Sequence, residues 1–443
     1  MAFPEIEVDK ARAVEIENAL NRSDLNRFLS LLSNYALELS FLQKYQGIPC
    51  ASKTLDYLCE LGCSALEREY PPPLTIREAS DQVVYIATEL YWGAGGHTPL
   101  LFDLIDADKN PNKELILTDL HGRLQSGIGA QELTAACSGK INVQCLQANS
   151  LLEKTLILKN YLIQKSPKKI VLMTHQFDVV AYCAVTASSA TQILWVHHAD
   201  TFSLGMHIPW YIHIDFNRWA ACECAETIGA GVFYWPLVCP DLGAPPRPNS
   251  STKLVTCSHG TNRKFIGEKS GLRYQDILVS RLLARDGLHL HIGDLPEKHE
   301  SEIRNFLTAH GVDDRRFIAV GRVPSLWEYL KKSEVNLCIA SFPVCSPRGL
   351  IETKGCGIPI LIFEDKEHPS RSSRGHGYEN CMTWENTDEL IRIIQGFTDE
   401  ELNRQSGYAR EDYQRNHSLL ALEQAANIPR SFITPKSRAH SKI

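Results

Sequence analysis

The sequence has little that would mark a membrane or secreted protein. No apolar run is long enough to cross a bilayer. The first residues, 1–7, lack a basic stretch followed by an apolar core, so we expect no signal peptide. The net charge of −6 over 443 residues gives no general attraction to nucleic acid or anionic lipid. These absences predict a cytoplasmic protein that has no nucleic-acid partner and no transmembrane segment.

Cysteines are present, but not at the spacing of a zinc site. Most of the 14 cysteines are scattered, and several lie inside apolar runs, which is typical of reduced thiols in the cytosol. The tight pairs Cys59/Cys63 and Cys222/Cys224 each lack a second pair at zinc-site spacing. We therefore expect neither a metal site nor a cofactor.

The length of the chain allows two domains with sizeable cores. Residues 1–75 are predicted to form an α-helical extension, because apolar residues recur there at helical spacing until Pro71-Pro72-Pro73. Beyond about residue 82, short β-rich runs alternate with helix-length segments, which is typical of a mostly parallel sheet covered by helices. The β-rich runs are 83–87, 115–118, 141–146, 170–174, 193–197 and 232–237, then 254–258, 288–292, 317–321, 335–340 and 358–363.

A stretch rich in Pro, Gly and Ser at 240–251 separates the two series of runs. We predict an α/β fold with two Rossmann-like doubly wound domains, at 76–245 and 250–430, followed by a flexible tail at 431–443. Ligands of such sheets bind at the carboxyl ends of the parallel strands, so the cleft between the domains is the expected site.

The segment with the most chemical information combines Phe342-Pro343 with Arg348-Gly349-Leu350-Ile351-Glu352. It is typical of a strand end, a loop of small residues and a helix with an acid in its first turns. A helix N-terminus offers free N–H groups and a partial positive charge, which suit a phosphate. The Glu352 carboxylate can accept two hydrogen bonds from a ribose diol. This pattern predicts a nucleotide-diphosphate site that includes Arg348, Gly349 and Glu352.

Two further segments of the second domain fit a nucleotide. After the run at 254–258, backbone N–H groups, a hydroxyl of Ser258 or Thr261 and the Lys264 ammonium can together neutralise a diphosphate. On spacing alone, an ordinary polar loop is the more frequent explanation. The run at 317–321 ends in Gly321-Arg322-Val323, where Gly321 and Val323 can lay backbone against a nucleobase edge. A simple strand-to-helix turn is the alternative.

These three segments, in this order, resemble the nucleotide-sugar-binding domain of glycosyltransferases with the GT-B architecture. The resemblance is closest to family 41, which includes the protein O-GlcNAc transferases and the HMW1C-like N-glucosyltransferases. Thr261 and Lys264 match the Thr-x-x-Lys loop that holds the UDP phosphates in HMW1C-like enzymes. The segment after Phe342-Pro343 keeps the spacing of their Asn-Gly-x-x-Asp motif, but Arg348 replaces Asn and Glu352 replaces Asp.

In the first domain, a glycine loop that ends in Gly95-Gly96-His97 follows a predicted strand. Glycines let the backbone approach a substrate closely, and a histidine with a pKa near neutrality can take a proton from an acceptor. The O-GlcNAc transferases carry a histidine beside a glycine in a similar loop, so the resemblance implies that His97 is an active-site residue. The alternative is a glycine-rich turn with an exposed histidine.

The second feature of the first domain is His197-His198-Ala199-Asp200, at the end of an apolar run. A similar His-His-x-Asp segment occurs in HMW1C-like proteins. Metal binding by His197, His198 and Asp200 is one interpretation, but adjacent histidines on a strand point to opposite faces, so one site would rarely take both. We favour a substrate-contacting or structural role, with His198 and Asp200 as the candidates.

The resemblance implies a glycosyltransferase of the hexosyltransferase type that uses a nucleotide-sugar donor, most simply UDP-linked, and a protein, peptide or glycan acceptor. It implies inversion, because Val344 stands where retaining family-4 enzymes carry the first of two glutamates. Lys264, Arg348 and helix N-termini would stabilise the leaving diphosphate without a metal. Two alternatives stay open: a UDP-sugar epimerase of the same fold, and a non-catalytic GT-B partner protein of a transferase. A homo-oligomer is also open.

Overall fold

The computed structural model describes residues 3–42, 49–71, 80–91, 96–122, 137, 141–199, 201–245, 253–366, 373–427 and 432–434. These residues fall into two compact units. The first unit ends at Trp235 and also takes in residues 432–434, whereas the second begins at Pro236. The border between the units thus precedes the predicted one at residue 245.

The first unit is a parallel sheet with helices. Its strands are β1 Val83–Ala87, β2 Lys113–Leu117, β3 Asn142–Cys145, β4 Lys169–Met173, β5 Gln192–His197, β6 Ile212–Asp215 and β7 Val232–Tyr234. Its helices are α1 Lys10–Asn21, α2 Leu25–Phe41, α3 Lys53–Glu69, α4 His97–Ala107, α5 Leu151–Lys165, α6 Val179–Ala184 and α7 Arg218–Ile228. The strand order β3-β2-β1-β4-β5-β6-β7 begins with the Rossmann order 3-2-1-4-5-6.

The predicted helical extension belongs to the core of the first unit. Phe28 on α2 and Leu55 on α3 are fully buried in the same apolar cluster as Tyr182 on α6. A Cβ on Gly62 would lie 2.7 Å from the Phe28 ring, so α2 and α3 can approach closely only with glycine there. These helices therefore bury apolar surface against the sheet domain instead of forming a separate module.

The second unit repeats the same topology. Its strands are β8 Leu254–His259, β9 Glu268–Lys269, β10 Leu272–Arg273, β11 Gly287–Ile292, β12 Phe317–Gly321, β13 Leu337–Ile339, β14 Ile360–Phe363 and β15 Met382–Trp384. Its helices are α8 Tyr274–Ala284, α9 Glu297–Ala309, α10 Leu326–Lys332, α11 Pro347–Gly355, α12 Thr387–Gly396, α13 Asp399–Asn416 and α14 Leu419–Asn427. The six-stranded sheet has the order β12-β11-β8-β13-β14-β15, with all pairs parallel. The prediction of two Rossmann-like domains is confirmed.

A short last strand, β16 (Phe432–Ile433), pairs antiparallel with β7 in the first unit. Two residues of the predicted tail are thus part of a sheet, and 435–443 lie outside the described residues. No helix in the described part of the chain has the length and apolar character needed to cross a membrane. All 14 cysteines are free thiols, as their distribution in the sequence predicts.

Each sheet has one point at which the strand order reverses, between β1 and β4 in the first unit and between β8 and β13 in the second. The loops that leave neighbouring strands at such a point diverge to opposite sides of the sheet and leave a crevice for a ligand. The segments that carry the predicted site residues follow β1, β5, β8 and β12 or open α11.

Candidate functional site

His97 is the first residue of α4, and its imidazole is fixed by one hydrogen bond. Its Nε2 atom lies 3.0 Å from the carbonyl oxygen of Met173, the last residue of β4. A carbonyl only accepts, so Nε2 carries the hydrogen and Nδ1 keeps its lone pair. That Nδ1 atom is buried and has no hydrogen-bond partner among the described residues. Burial lowers the pKa of His97, so the ring is neutral at pH 7 and can accept a proton at Nδ1.

The structure brings His97 and His198 together. Their ring centroids are 4.7 Å apart, and His198 directly follows β5. Burial, followed by the proximity of His97 and His175, lowers the pKa of His198. Gly96 precedes α4, whereas Gly95 and Asp200 lie outside the described residues. Two of the three predicted catalytic side chains are therefore neighbours at the carboxyl ends of the central strands.

His175 is a member of this histidine group that the sequence analysis missed. It lies just beyond β4, with its ring centroid 5.5 Å from that of His97, and the Tyr91 ring stacks on it at 5.6 Å. The Tyr91 hydroxyl donates to the buried Glu89 carboxylate at 2.6 Å. The signal that could have found His175 is its place after an apolar strand, which is the same signal that selected His198.

A buried carboxylate supports the loops of this site. Both Thr88, which follows β1, and Thr118, which follows β2, donate to Oδ2 of Asp178 at 2.6 Å. The other oxygen of Asp178 accepts from the N–H of Ala181 and caps α6. Asp178 thus ties the carboxyl ends of β1 and β2 to the start of α6.

In the second unit, the predicted phosphate loop follows β8 and begins at Gly260. Its φ of 149° is strained for any other residue. A Cβ on Gly293 would lie 1.9 Å from the Gly260 carbonyl oxygen, so glycine at 293 allows this close approach. The next residues, Thr261 to Lys264, form one tight helical turn in which the Lys264 N–H donates to the Thr261 carbonyl.

The loop after β8 is joined to the segment that leads into α11. The Val344 N–H donates to the Lys264 carbonyl at 3.2 Å. A Cβ on Gly260 would lie 3.3 Å from Cγ of Lys264 and 3.4 Å from the Ser346 hydroxyl, so these side chains converge above the glycine. The turn from Thr261 to Lys264 therefore lies next to the start of α11, although more than 80 residues separate the two segments in the sequence.

Ser258 does not have the position that its predicted role needs. Its side chain is fully buried, and its hydroxyl donates to the Ile339 carbonyl at 2.8 Å between β8 and β13. Of the two hydroxyls proposed for a phosphate contact, Thr261 is the one that remains available.

Helix α11 begins with Pro347, whose fixed φ suits the first helical position. Gly349 in its first turn lies against His259, because a Cβ there would be 2.4 Å from the imidazole. His259 Nε2 donates to Thr353 Oγ1 at 3.0 Å, and Thr353 in turn donates to the Gly349 carbonyl. These contacts hold the helix N-terminus beside the end of β8.

Glu352 and Arg348 lie on the same side of α11. Glu352 Oε2 accepts from the N–H of Trp327 in the first turn of α10 at 3.2 Å, and Arg348 Nε lies 3.8 Å from Oε1. Burial raises the pKa of Glu352, while Arg348 opposes this shift. Arg348 also donates to the Val238 carbonyl at 3.1 Å. A phosphate contact by Arg348 would have to coexist with or replace that bond.

The remaining predicted residues, Gly321 and Val323, lie at the end of the edge strand β12. Gly321 has a φ of 77°, and its carbonyl accepts from the N–H of Gly293 at 2.9 Å. Val323 is half-buried two residues further on. They share the carboxyl edge of the sheet with the phosphate loop, two strands away from β8.

No protein-family profile and no curated protein matches this chain. Solved structures do. The lipopolysaccharide outer core galactosyltransferase WaaB matches with a TM-score of 0.56 and 16% identity over 78% of this chain and 98% of its own. A mutant of the O-GlcNAc transferase of Thermobaculum terrenum matches with a TM-score of 0.57 and 14% identity over 94% of this chain and 79% of its own. Anabaena HepE in complex with UDP matches with a TM-score of 0.57 and 13% identity over 78% and 98%.

The chain has the GT-B fold. Its structural neighbours include an O-GlcNAc transferase and glycosyltransferases of other kinds, so the specific resemblance to family 41 stays a prediction. The fold accounts for the geometry described above, because each Rossmann-like unit presents its polar loops at the carboxyl ends of its strands.

Proposed function

We propose that the protein is a glycosyltransferase that moves a sugar from a nucleotide-diphosphate donor, most simply a UDP-sugar, to an acceptor. The observation that carries this proposal is the junction of the loop at 260–264 with the start of α11, at the point where the strand order of the second sheet reverses. A neighbour of the same fold, Anabaena HepE, has been solved with UDP and with UDP-glucose. That likeness supports a nucleotide-sugar donor for this chain.

The donor would be held by the second unit. Backbone N–H groups at the N-terminus of α11 and the Lys264 ammonium are positive groups for the diphosphate, with the Thr261 hydroxyl as a further donor. Glu352 would accept hydrogen bonds from the ribose hydroxyls. Gly349 would keep the N-terminus of α11 close to His259 at the end of β8, and Gly321 with Val323 would face the base.

The acceptor chemistry would belong to the first unit. In the proposed inverting reaction, the acceptor nucleophile gives its proton to Nδ1 of His97 and attacks the anomeric carbon, while the bond from that carbon to the diphosphate oxygen breaks. Lys264 and the helix N-terminus stabilise the charge that develops on the diphosphate, so no divalent ion is required at this step. His198 and Asp200 are the other residues proposed to act on the acceptor, a protein, peptide or glycan.

Family 41 is the proposed subgroup. The likeness to the O-GlcNAc transferase extends over 94% of this chain, compared with 78% for WaaB and HepE. The Thr-x-x-Lys loop and the spacing from Arg348 to Glu352 support the same assignment.

A panel of nucleotide sugars, with nucleotide-diphosphate release as the readout, tests the proposal. Release that depends on an added protein, peptide or glycan acceptor is the expected result. Release together with free sugar and no acceptor would favour the epimerase-type enzyme, and failure to bind any nucleotide would favour the non-catalytic partner. The same assay in EDTA tests metal independence: activity that vanishes and returns with Mn²⁺ or Mg²⁺ would contradict it.

A further inference from the structure

Three potential metal ligands meet inside the first unit, and none of them is a residue of the proposed reaction. His197 is the last residue of β5, His213 lies on the neighbouring strand β6, and Cys224 lies on α7. His197 Nε2 is 2.8 Å from His213 Nδ1, and Cys224 Sγ is 3.9 Å and 3.8 Å from these two atoms. The three ligand atoms form a compact triangle.

The size of the triangle suits a transition-metal ion. A point equidistant from the three atoms lies about 2.1 Å from each of them, close to the zinc–nitrogen distance of about 2.0–2.1 Å and somewhat shorter than the zinc–sulfur distance of about 2.3 Å. An ion placed there would require the two ring nitrogens to separate by a few tenths of an ångström. Met206 provides a second sulfur, because its Sδ lies 3.8 Å from Cys224 Sγ.

The surroundings orient the ligands toward one another. Asp215 Oδ2 lies 3.3 Å from Nδ1 of His197, which places the hydrogen on Nδ1 and turns the lone pair of Nε2 toward His213 and Cys224. A carboxylate behind a ligating imidazole is the usual arrangement at metal sites in proteins. Cys224 is fully buried and His213 almost so, which means that solvent does not compete for these donors.

We propose that His197, His213 and Cys224 bind one thiophilic transition-metal ion, zinc or copper, with Met206 as the adjacent soft ligand. Thiolate and thioether sulfur with imidazole nitrogen is a donor set that both ions accept. Binding releases the proton of the Cys224 thiol, and His213 then carries its ring hydrogen on Nε2 while Nδ1 faces the ion. The ion would be structural, because it would join the ends of β5 and β6 to α7.

This site differs from the set that the sequence suggests. His197, His198 and Asp200 are neighbours in sequence, but His198 contacts His97 whereas His197 faces His213 and Cys224. Ligands at 197, 213 and 224 follow no zinc-motif spacing, so only the pairing of β5 with β6 and the position of α7 bring them together. The expectation of no metal site rests on the spacing of the cysteines and on the opposite directions of adjacent histidines on a strand, and it is replaced here by this proposal.

Metal content and cobalt titration of the full chain test the site. The purified protein is analysed for zinc and copper by mass spectrometry, stripped with a chelator and titrated with Co²⁺. We expect a near-ultraviolet band from thiolate-to-cobalt charge transfer that saturates at one equivalent. Zn²⁺ and Cu⁺ are then added in separate arms, and the ion that displaces cobalt at the lower concentration identifies the preferred occupant.

Two serine variants on α7 provide a matched pair. Cys224→Ser should abolish the band, whereas Cys222→Ser, two residues away on the same helix, should keep it. If Cys224→Ser does not fold, the titration of the wild-type protein decides. The site is also supported if the wild-type protein unfolds when the metal is removed and refolds when zinc or copper is added. A stripped wild-type protein that stays folded and gives no band overturns the proposal, as does an unchanged band in Cys224→Ser.

Discussion

The Nε2 atom of His97 lies 3.0 Å from the carbonyl oxygen of Met173, at the end of the central strand β4. This one hydrogen bond selects the tautomer of the ring and leaves a buried Nδ1 lone pair without a partner among the described residues. A histidine held in this way is prepared to accept a proton at one defined atom. This geometry supports the proposal that His97 is the base.

Replacing His97 should affect the chemical step and leave donor binding intact. His97→Ala removes the proposed base, so turnover at saturating donor should fall by about 10²–10⁴-fold. UDP affinity, measured by calorimetry, should change by less than about twofold, because the proposed donor-binding residues belong to the second unit. His198→Ala is measured beside it, because His198 is the neighbouring ring that is also proposed to act on the acceptor. If His97→Ala keeps most of its turnover while His198→Ala does not, the general-base role passes to His198.

The acidic limb of the pH–activity profile should report the titration of His97 and should be shifted to lower pH. The base acts in its neutral form, so turnover is lost as the pH falls through the pKa of His97. Burial lowers that pKa, so the acidic limb should lie below the ordinary histidine value of about 6.5. The measurement is kcat/KM from about pH 4.5 to about pH 8, because kcat/KM reports the pKa values of the free enzyme. A limb at or above the ordinary value would show that His97 is not the titrating group.

Lys264 should anchor the donor diphosphate. Lys264→Ala removes one charge-assisted contact worth about 1.5–3 kcal/mol, so UDP should bind roughly 10- to 150-fold more weakly. Arg263→Ala is the control, since Arg263 is the exposed neighbour in the same helical turn. Calorimetry with UDP measures both. Equal losses in the two variants would indicate only a general charge effect, and an unchanged affinity in Lys264→Ala would remove Lys264 from the site.

Most of the fold could be predicted because parallel strands covered on both faces are continuous apolar runs. The run at 83–87 matches β1, which is buried along its whole length, at both ends; the run at 317–321 matches the edge strand β12 although only its first residue is buried. Five strands were not predicted: β6 and β15 of the two parallel sheets, and the two-residue strands β9, β10 and β16. In β6, the sequence Ile-His-Ile-Asp places two polar residues in a strand of four, and the buried contacts of His213 and Asp215 with His197 compensate for their polarity.

Only those parts of the candidate site that consist of residues close together in the sequence could be predicted. Thr261 and Lys264 follow a strand, and Gly349 opens a helix, so each segment is visible alone. The spacing of residues does not show that the Ser258 hydroxyl donates to the Ile339 carbonyl, because that bond depends on the position of β13 beside β8. The approach of His197 to Cys224 likewise depends on contacts between distant segments.

Glu352 should recognise the ribose of the donor. Glu352→Gln keeps the shape, and its carbonyl oxygen can still accept the Trp327 N–H that Glu352 accepts now. Hydrogen bonds to a charged acceptor exceed neutral ones by about 1–2 kcal/mol, so UDP should bind roughly 5- to 30-fold more weakly.

Binding of 2′,3′-dideoxy-UDP should change little in the same variant, because it lacks the hydroxyls that Glu352 would accept from. Glu328→Gln on α10 is the control, since that carboxylate pairs with Lys331 on the same helix. An equal loss of affinity for UDP and its dideoxy analogue would contradict the ribose assignment.

The close contact between Gly349 and His259 should make position 349 intolerant of even one methyl group. A Cβ there would lie 2.4 Å from a buried ring that is also hydrogen-bonded to Thr353, so the ring cannot move aside freely. Gly349→Ala should lower the free energy of unfolding of the second unit by about 1–3 kcal/mol.

Gly407→Ala is the matched control in the same unit, and it should change the free energy of unfolding in the opposite direction. Gly407 lies inside α13, and a Cβ there has no atom within 4 Å apart from the neighbouring residues and the backbone of its own helix. Alanine should therefore raise the free energy of unfolding by about 0.4–1 kcal/mol through its higher helix propensity. Denaturant unfolding, with hydrogen exchange in β8 to report on the second unit, measures both changes.

Gly349→Ala should also weaken UDP binding, because the added methyl group displaces the first turn of α11 from the end of β8. If Gly349→Ala is as stable as the wild type and binds UDP normally, the contact with His259 does not position that helix.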